Sequence, residues 1–485
     1  MVKIESRRKG RTTKSERKRL FEFQKKLTKY VGIGMFKITE NGDYDNFPHR
    51  RYRIYSLAIV TLILFLFIAL EVVELFRDAS DFERLTFQMS LIPSQILNII
   101  KTLSMMYYHK KITNLITILE KSATDIYVSS FHIIKTDKNC LFLSKLYTVI
   151  LVMCVLYFAT PSLQTIYSKN TYFYDNKTIT SVLIKNRLPV STYSPFKIND
   201  EFTFCIMLFY QMFTLIYQSF IVCTNDCFAA SILMHISCQF ITVQLMMKNI
   251  HRNAIYYLRS KRLEKNSYEH TDRSGRMKLN YFDFDKTKFA FYVSNITDEK
   301  LLEECRFIIN NRNTSFSEFS SDEISESMEI FLIDAVKLLE MTIECMKEFE
   351  YIFRHGFFGQ IITSVIVICL SFYPLVGMKD ADCIKLVGGS LMMMVFMPQL
   401  ALVTWNCTNI TIEAEKVATA AFCCPWYEAN AKFRKTLTIA VSSAQRPQII
   451  KACSGLIPLS NETFIDLVTR SYSAFAIVMS FKKQL

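Results

Sequence analysis

The stretch that decides the fold is Leu459 to Phe481, LSNETFIDLVTRSYSAFAIVMSF. It is mostly apolar and, at about 20 residues, long enough to cross a bilayer. Ser460 is placed to N-cap a helix, with Glu462 in the first turn. Unlike the other apolar runs it is dotted with polar groups: Thr463, Asp466, Thr469, Arg470, Ser471, Ser473 and Ser480. Such groups are costly against lipid, so they should face a wet cavity or another protein surface. A half-polar closing helix in a membrane chain reads as a pore lining. Just before it, Gly455 and Pro458 mark a break. Pro447 ends an amphipathic helical pattern over Ala414 to Ser443, because proline restricts its predecessor and lacks a backbone donor. Within that pattern Val417, Ala421 and Cys424 recur at helical spacing, and Phe433, Leu437 and Ala440 continue it.

The composition agrees with a membrane chain. Of 485 residues 51% are hydrophobic, with 40 Phe and 24 Tyr, and the apolar residues are clumped into long runs. The formal charge is +14. A nucleic-acid partner is not the reading, because the basic residues of segment 1–53 (Arg7, Arg8, Lys9, Arg11 and others) directly precede a first span. That arrangement holds an amino terminus in the cytosol and suits a lipid-headgroup surface. The 14 cysteines show no disulfide pattern. The pair Cys423–Cys424 is read as packing in the amphipathic helix rather than as an acylation site.

Further outward from the tail, span six is Ile384 to Trp405 and span five Phe357 to Val376, preceded by a cytoplasmic helix over Ile330 to Phe353. The stretch 248–328 is charged and lacks an apolar period, which marks a tethered cytoplasmic insertion. Span four is Phe202 to Val222, continuing as helix to about Met247 in the cytosol. The outer loop 164–199 separates it from span three, Lys145 to Leu163. Span two, Phe82 to Met106, is interrupted by Pro93, Gln95, Asn98 and Lys101, so it should be packed among other helices. Span one is Ile54 to Val73. The expected fold is all-α: a polytopic membrane protein with seven transmembrane helices, amino terminus inside and carboxyl terminus outside. Its divisions are 1–53, 54–247 (helices one to four), 248–328, 329–408 (a cytoplasmic helix and helices five and six), 409–458 (a cytoplasmic anchor helix) and 459–485 (helix seven).

The tail resembles that of the insect odorant receptors. The resemblance is carried by AFCCPWYEANAKFRK from Ala421, AQRPQIIKACSGLIPLSNETF from Ala444, and SYSAF from Ser471. The Trp-Tyr pair, Lys-Phe-Arg-Lys, Gln-Arg-Pro and a Tyr followed by Phe three residues later form the family's tail pattern. The shorter Thr-Tyr ending of the related gustatory receptors is absent, and the shared co-receptor has a more apolar tail, so the chain resembles a ligand-specific tuning subunit. The resemblance implies an odorant-gated, non-selective cation channel in the plasma membrane of olfactory sensory neurons. It implies a heterotetramer with the odorant co-receptor, a homotetramer being the alternative, and a small volatile odorant as ligand. The cytoplasmic anchor, with Trp426, Tyr427, Phe433 and Leu437, would join subunits.

On the last helix Ser473, Ile477, Ser480 and Phe481 share one face by their spacing. By their position near its end, Ile477 and Phe481 match the family's apolar constriction. Ile477 could equally pack on a neighbour, and Arg470 could simply neutralise Asp466 one turn before it. A pocket for a volatile needs apolar, aromatic walls with few polar groups. The outer halves of the spans offer Phe87, Ser90 and Leu91; Met153, Tyr157 and Phe158; Phe209, Tyr210 and Phe213; and Met393, Phe396 and Met397. Aromatic stripes on membrane helices also arise from packing alone.

Nothing points to an enzyme or a cofactor. The seven His show no metal-ligand spacing, and there is no GxGxxG, P-loop or HExxH. The alternatives are a seven-helix G-protein-coupled receptor or a gustatory-type channel. Six sequons separate the topologies: Asn176, Asn295, Asn313, Asn406, Asn409 and Asn461. With the amino terminus inside, only Asn176 meets the glycosylation machinery. Glycosidase digestion should therefore shift the wild-type band and leave Asn176→Gln unchanged. A shift that persists until Asn295 or Asn313 is removed would reverse the orientation.

Overall fold

The computed structural model describes residues 21–33, 37–38, 44–45, 54–56, 58, 64–77, 82–125, 130–167, 187–196, 198, 200–255, 257–258, 261–262, 319–376 and 383–484. Asn176, much of span one and most of the 248–328 insertion lie outside the described residues, as do the side chains of Phe87 and Phe481. The described elements are helices apart from two short antiparallel hairpins, Lys37–Ile38 with Tyr44–Asp45 and Lys451–Ala452 with Ile457–Pro458. In chain order the helices are α1 (Glu22–Tyr30), α2 (Leu66–Arg77), α3 (Phe82–Tyr107), α4 (His109–Asp125), α5 (Ser130–Phe158) and α6 (Thr160–Tyr167). They continue with α7 (Glu201–Lys248), α8 (Ser321–Val376), α9 (Cys383–Phe422), α10 (Ala431–Ala444) and α11 (Asn461–Gln484).

Among the described residues four helices are long and apolar enough to cross a membrane, within α5, α7, α8 and α9. Helices α3 and α11, of 26 and 24 residues, also have the length to do so. With 48 and 56 residues, α7 and α8 are ~72 and ~84 Å long, far more than the ~30 Å of hydrocarbon, so each must run well beyond a bilayer. Helix α7 is the centre of the fold. Nearly every residue from Cys223 to Leu233 is buried, because α3, α5, α8 and α9 surround it.

Two expected boundaries are absent. The helix over Ile330 to Phe353 and span five are one continuous α8. Phe349, Phe353 and Phe357 recur at i, i+4 and i+8 across the expected join, with neighbouring ring centroids 4.6 and 5.9 Å apart. Between Phe353 and Phe357 the one helix-weakening residue is Gly356, and one helical glycine costs just ~1 kcal/mol. The pattern over Ala414 to Ser443, in contrast, is two helices rather than one. Its first part is the end of α9, so the 408/409 division falls inside a helix. Pro425 ends the helical run, and Asn430 starts α10 by accepting a hydrogen bond from the Phe433 amide at 2.8 Å.

The tail is tied to the bundle at several points. Gly455, at φ +101°, makes the turn of the second hairpin in the backbone region that favours glycine. Ser460 caps α11 by accepting from the Thr463 amide at 3.2 Å, as its position in the sequence suggested. The Asn461 amide donates to Thr408 Oγ1 at 2.9 Å, pinning the start of α11 to α9. At the other end of the chain, Lys25 of α1 pairs with Glu120 of α4 at 2.7 Å, and Gln24 donates to Ser231 of α7 at 3.1 Å.

The main core joins Phe228, Phe240 and Ile236 of α7 to Phe349 and Ile352 of α8, to Val403 and Ile410 of α9 and to Phe433 of α10. Phe349 is fully buried, so Phe349→Ala removes packing worth about 3–5 kcal/mol. The melting temperature of the purified receptor should drop by several degrees. A melting curve that superposes on the wild type would place Phe349 outside the core.

Candidate functional site

A cavity of about 130 Å³ lies between α3, α5, α7 and α9. It is close in size to the ~150 Å³ apolar cavity that takes up benzene. Each helix contributes one stripe at the three- and four-residue spacing of a single face. From α5 come Leu151, Cys154, Val155 and Phe158; from α9, Met392, Val395, Phe396 and Gln399. Helix α7 gives Leu215, Gln218, Ser219, Val222 and Asp226, and α3 gives Leu91, Ser94, Gln95, Asn98 and Lys101. The roof is the segment after Arg187, through Pro189 and Val190. It is held down by Gln211, whose amide donates to the Val190 carbonyl at 2.8 Å and to Thr192 Oγ1 at 2.9 Å. Gln88 adds a bond to the Ser191 carbonyl at 2.8 Å.

The floor is polar, and its two charges are paired. Lys101 Nζ donates to Asp226 Oδ1 and to Gln360 Oε1, and Gln399 Nε2 donates to Asp226 Oδ2. Asn225 donates to Asn98 at 2.9 Å and to Thr102 at 3.0 Å, and Gln360 donates to Ser364 at 3.1 Å. One ion pair thus draws together α3, α7, α8 and α9. Glycines make room for it. A Cβ at Gly359 would come within 2.8 Å of Leu97 Cδ1, and one at Gly356 within 3.3 Å of Lys101 Cγ. Helix α8 can therefore approach α3 closely enough for Gln360 to reach the ammonium.

The structure distributes the residues singled out from the sequence unevenly. Leu91, Phe158 and Phe396 are on the cavity wall. Met153, Phe209 and Phe213 point outward, at 61%, 75% and 54% exposed. Tyr157 is half-buried beside Phe158, with ring centroids 5.8 Å apart, and Tyr210 packs against Phe67 at 6.1 Å. Ser90 is buried, while Met393 and Met397 are half-buried, all three off the wall. Aromatic content pointed to faces that lie one or two positions around the helix from the cavity. Asp226, Gln399 and Gln218 were missed. The signal was present for Asp226, a lone acid inside the apolar run FIVCTNDCFAAS, since a charge at that depth marks a site by default.

Helix α11 packs by one face only. Leu467, Ser471 and Phe475 are buried, and Phe475 and Tyr472 lie against Phe372 of α8 at 5.7 and 5.8 Å. Ser473, Ile477 and Ser480 are on the exposed face. The two serine hydroxyls are satisfied by the helix itself, Ser473 donating to the Thr469 carbonyl at 3.1 Å and Ser480 to that of Ile477 at 2.7 Å. Arg470 and Asp466 pair at 2.8 Å, both exposed.

In the connecting segment Trp426 and Tyr427 are exposed, whereas Phe433 and Leu437 sit inside the subunit core. Cys424 is buried there, and burial pushes its thiol up to about 11, while Cys423 is exposed. Among the described residues no group of three His, Cys, Asp or Glu is arranged to hold a metal.

The ion pair invites a double-mutant cycle. Asp226→Leu leaves a buried ammonium without its charge partner, and Lys101→Met a buried carboxylate; each should cost about 3–5 kcal/mol. Lys101→Met combined with Asp226→Leu should recover most of that loss, as read from melting temperatures. Additive losses in the double variant would show that the two charges do not interact.

Comparison with known proteins places this architecture. The family model described as 7tm Odorant receptor matches residues 81–472. Odorant receptor 49a of Drosophila melanogaster is 28% identical over 152 residues, 30% of this chain and 37% of that one. Putative odorant receptor 85d of the same fly is 25% identical over 149 residues, 30% and 35% of the respective chains. The chain spans about a third of the length of these curated relatives. In fold, the insect olfactory receptor OR5 from Machilis hrabei is similar with a TM-score of 0.64 at 11% identity, over 94% of this chain and 97% of that one. Its structure in complex with eugenol also gives 0.64, at 10% identity, over 95% and 97%. At such identities the likeness carries the fold alone. The family match covers most of the sequence, and the chain belongs to the 7tm odorant receptor family.

Proposed function

We propose that this receptor is a subunit of an odorant-gated, non-selective cation channel with a small volatile ligand in the cavity above Lys101 and Asp226. In this reading the chain crosses the plasma membrane of olfactory sensory neurons seven times, amino terminus inside and carboxyl terminus outside. Four subunits, this chain with the odorant co-receptor, surround one pore. The division into a basic cytoplasmic start, a bundle, a charged insertion, an anchor region and a closing pore helix belongs to the same reading. That the Machilis receptor is seen in complex with eugenol supports a small-molecule ligand.

One observation carries the proposal: α8 touches both the cavity floor and the closing helix. Gln360 accepts from Lys101, and Phe372, ~18 Å further along the same helix, packs on Phe475 and Tyr472. A rigid helix between the two sites gives a ligand the means to bias α11. The opposite face of α11, with Ser473, Ile477 and Ser480, is left free to line an ion path. Ile477 would close that path by dewetting, and the serines would hydrate it when it widens. Trp426 and Tyr427, outward beside the core residues Phe433 and Leu437, suit a subunit anchor.

Moving a channel from 1% to 99% open needs about 5.5 kcal/mol of preference for the open state. In a homotetramer that is about 1.4 kcal/mol per ligand, and with fewer copies of this chain each cavity must supply proportionally more.

Voltage-clamped cells expressing this chain with the co-receptor should carry cation current within milliseconds of odorant addition, with G-protein signalling blocked. Ile477→Ala should change relative ion permeability while the odorant ranking stays the same. A response abolished by the block would favour a coupled receptor, and unchanged permeation in Ile477→Ala would remove that residue from the pore.

A further inference from the structure

We infer that the cavity selects a neutral hydroxylated volatile, an alcohol or a phenol, through Gln95 and Gln218; this rests on the cavity being the ligand site. Both side chains line the cavity, at only 6% and 7% exposed. Gln95 Nε2 donates to Glu71 Oε1 at 3.0 Å, which leaves its Oε1 as a buried acceptor with no partner. Gln218 Nε2 is a buried donor with no partner. Three other polar groups of the wall have partners. Ser94 and Ser219 donate to the carbonyls of Leu91 and Leu215 at 2.6 and 2.9 Å, and Asn98 accepts from Asn225.

The two free groups sit at nearly the same depth. Lys101 and Asp226 are in contact at the floor, and α3 and α7 both run from the roof towards it. Gln95 precedes Lys101 by six residues and Gln218 precedes Asp226 by eight. At 1.5 Å per residue they lie ~9 and ~12 Å above the ion pair, within ~3 Å of one level. One free acceptor and one free donor at one level, beside serines bonded to their own helices, match a group that gives and takes a hydrogen bond through a single oxygen. A hydroxyl does both. An ether, ester or ketone can satisfy only Gln218, and a hydrocarbon neither. The charges of Lys101 and Asp226 cancel against each other, so the floor offers no net charge to an ion.

Leaving both amides unmet penalises a hydrocarbon at least about tenfold relative to an isosteric hydroxyl compound. The test is equilibrium binding to the purified full-length receptor in nanodiscs, followed by calorimetry. The probes are phenol against toluene and pentanol against hexane, with pentylamine as a cation. In at least one pair the hydroxyl compound should bind about tenfold tighter or more. That advantage should fall to about twofold or less in Gln95→Leu and in Gln218→Leu. Val155→Trp, which fills the cavity, should abolish all binding.

Equal affinities within both wild-type pairs, still abolished by Val155→Trp, would overturn the hydroxyl preference and keep the cavity as the site. Tighter binding of pentylamine than of pentanol would overturn it as well. Binding that survives Val155→Trp, or no binding by any probe, would remove the cavity itself and the inference with it. The wild-type comparison needs no variant to fold.

Discussion

The ion pair between Lys101 and Asp226 is the interaction on which the rest of this structure depends. Two opposite charges deep in a helical bundle cost several kcal/mol each to desolvate, and their attraction offsets that only when their remaining valences are met. Here Gln360 and Gln399 meet them, one from each of the remaining long helices. Four helices are thereby brought together in one register by a single hydrogen-bonded cluster. Apolar contacts between membrane helices lack such selectivity, since lipid competes for them on nearly equal terms.

That cluster also explains why a cavity can exist above it. The charged floor fixes the lower separation of α3, α7 and α9, and Gln211 fixes the roof by clamping the Val190 segment. Between the two the walls carry Leu91, Val155, Phe158, Val222 and Phe396, with space left over for a small molecule. The polar groups are confined to the bottom and to one level of the wall. Helix α8 meets the floor through Gln360 and the closing helix through Phe372, so disturbance of one end has a stiff element along which to reach the other.

Much of this was legible in the residues themselves. Long apolar runs announced the membrane helices, and the break at Gly455 and Pro458 followed by Ser460 located the start of the last one. Asn98 and Lys101 marked α3 as a helix packed inside the bundle rather than bathed in lipid. The tail pattern from Ala421 to Phe475 was specific enough to identify the family before any coordinates. Other features were hidden for physical reasons. Helices α8 and α9 run on past the apolar boundary because an amphipathic helical stretch and an apolar one join without any backbone signal when no proline intervenes. The cavity wall was misplaced at Met153, Phe209 and Phe213 because large apolar side chains serve lipid and ligand alike, and only packing decides which face turns inward. Phe433 and Leu437 likewise show that an amphipathic stripe can be filled from within its own subunit.

The most direct test of the cavity as the place where the receptor senses a small molecule is protection of an introduced thiol. Ser94→Cys puts a sulfhydryl in the cavity wall and Phe209→Cys puts one on the outer surface of the same bundle. Their rates of modification by a small methanethiosulfonate can be compared with and without an activating odorant. The expected result is that odorant slows labelling of Ser94→Cys several-fold and leaves Phe209→Cys unaffected. Labelling of Ser94→Cys at the same rate in the presence of saturating odorant would contradict the placement of the ligand above Lys101 and Asp226.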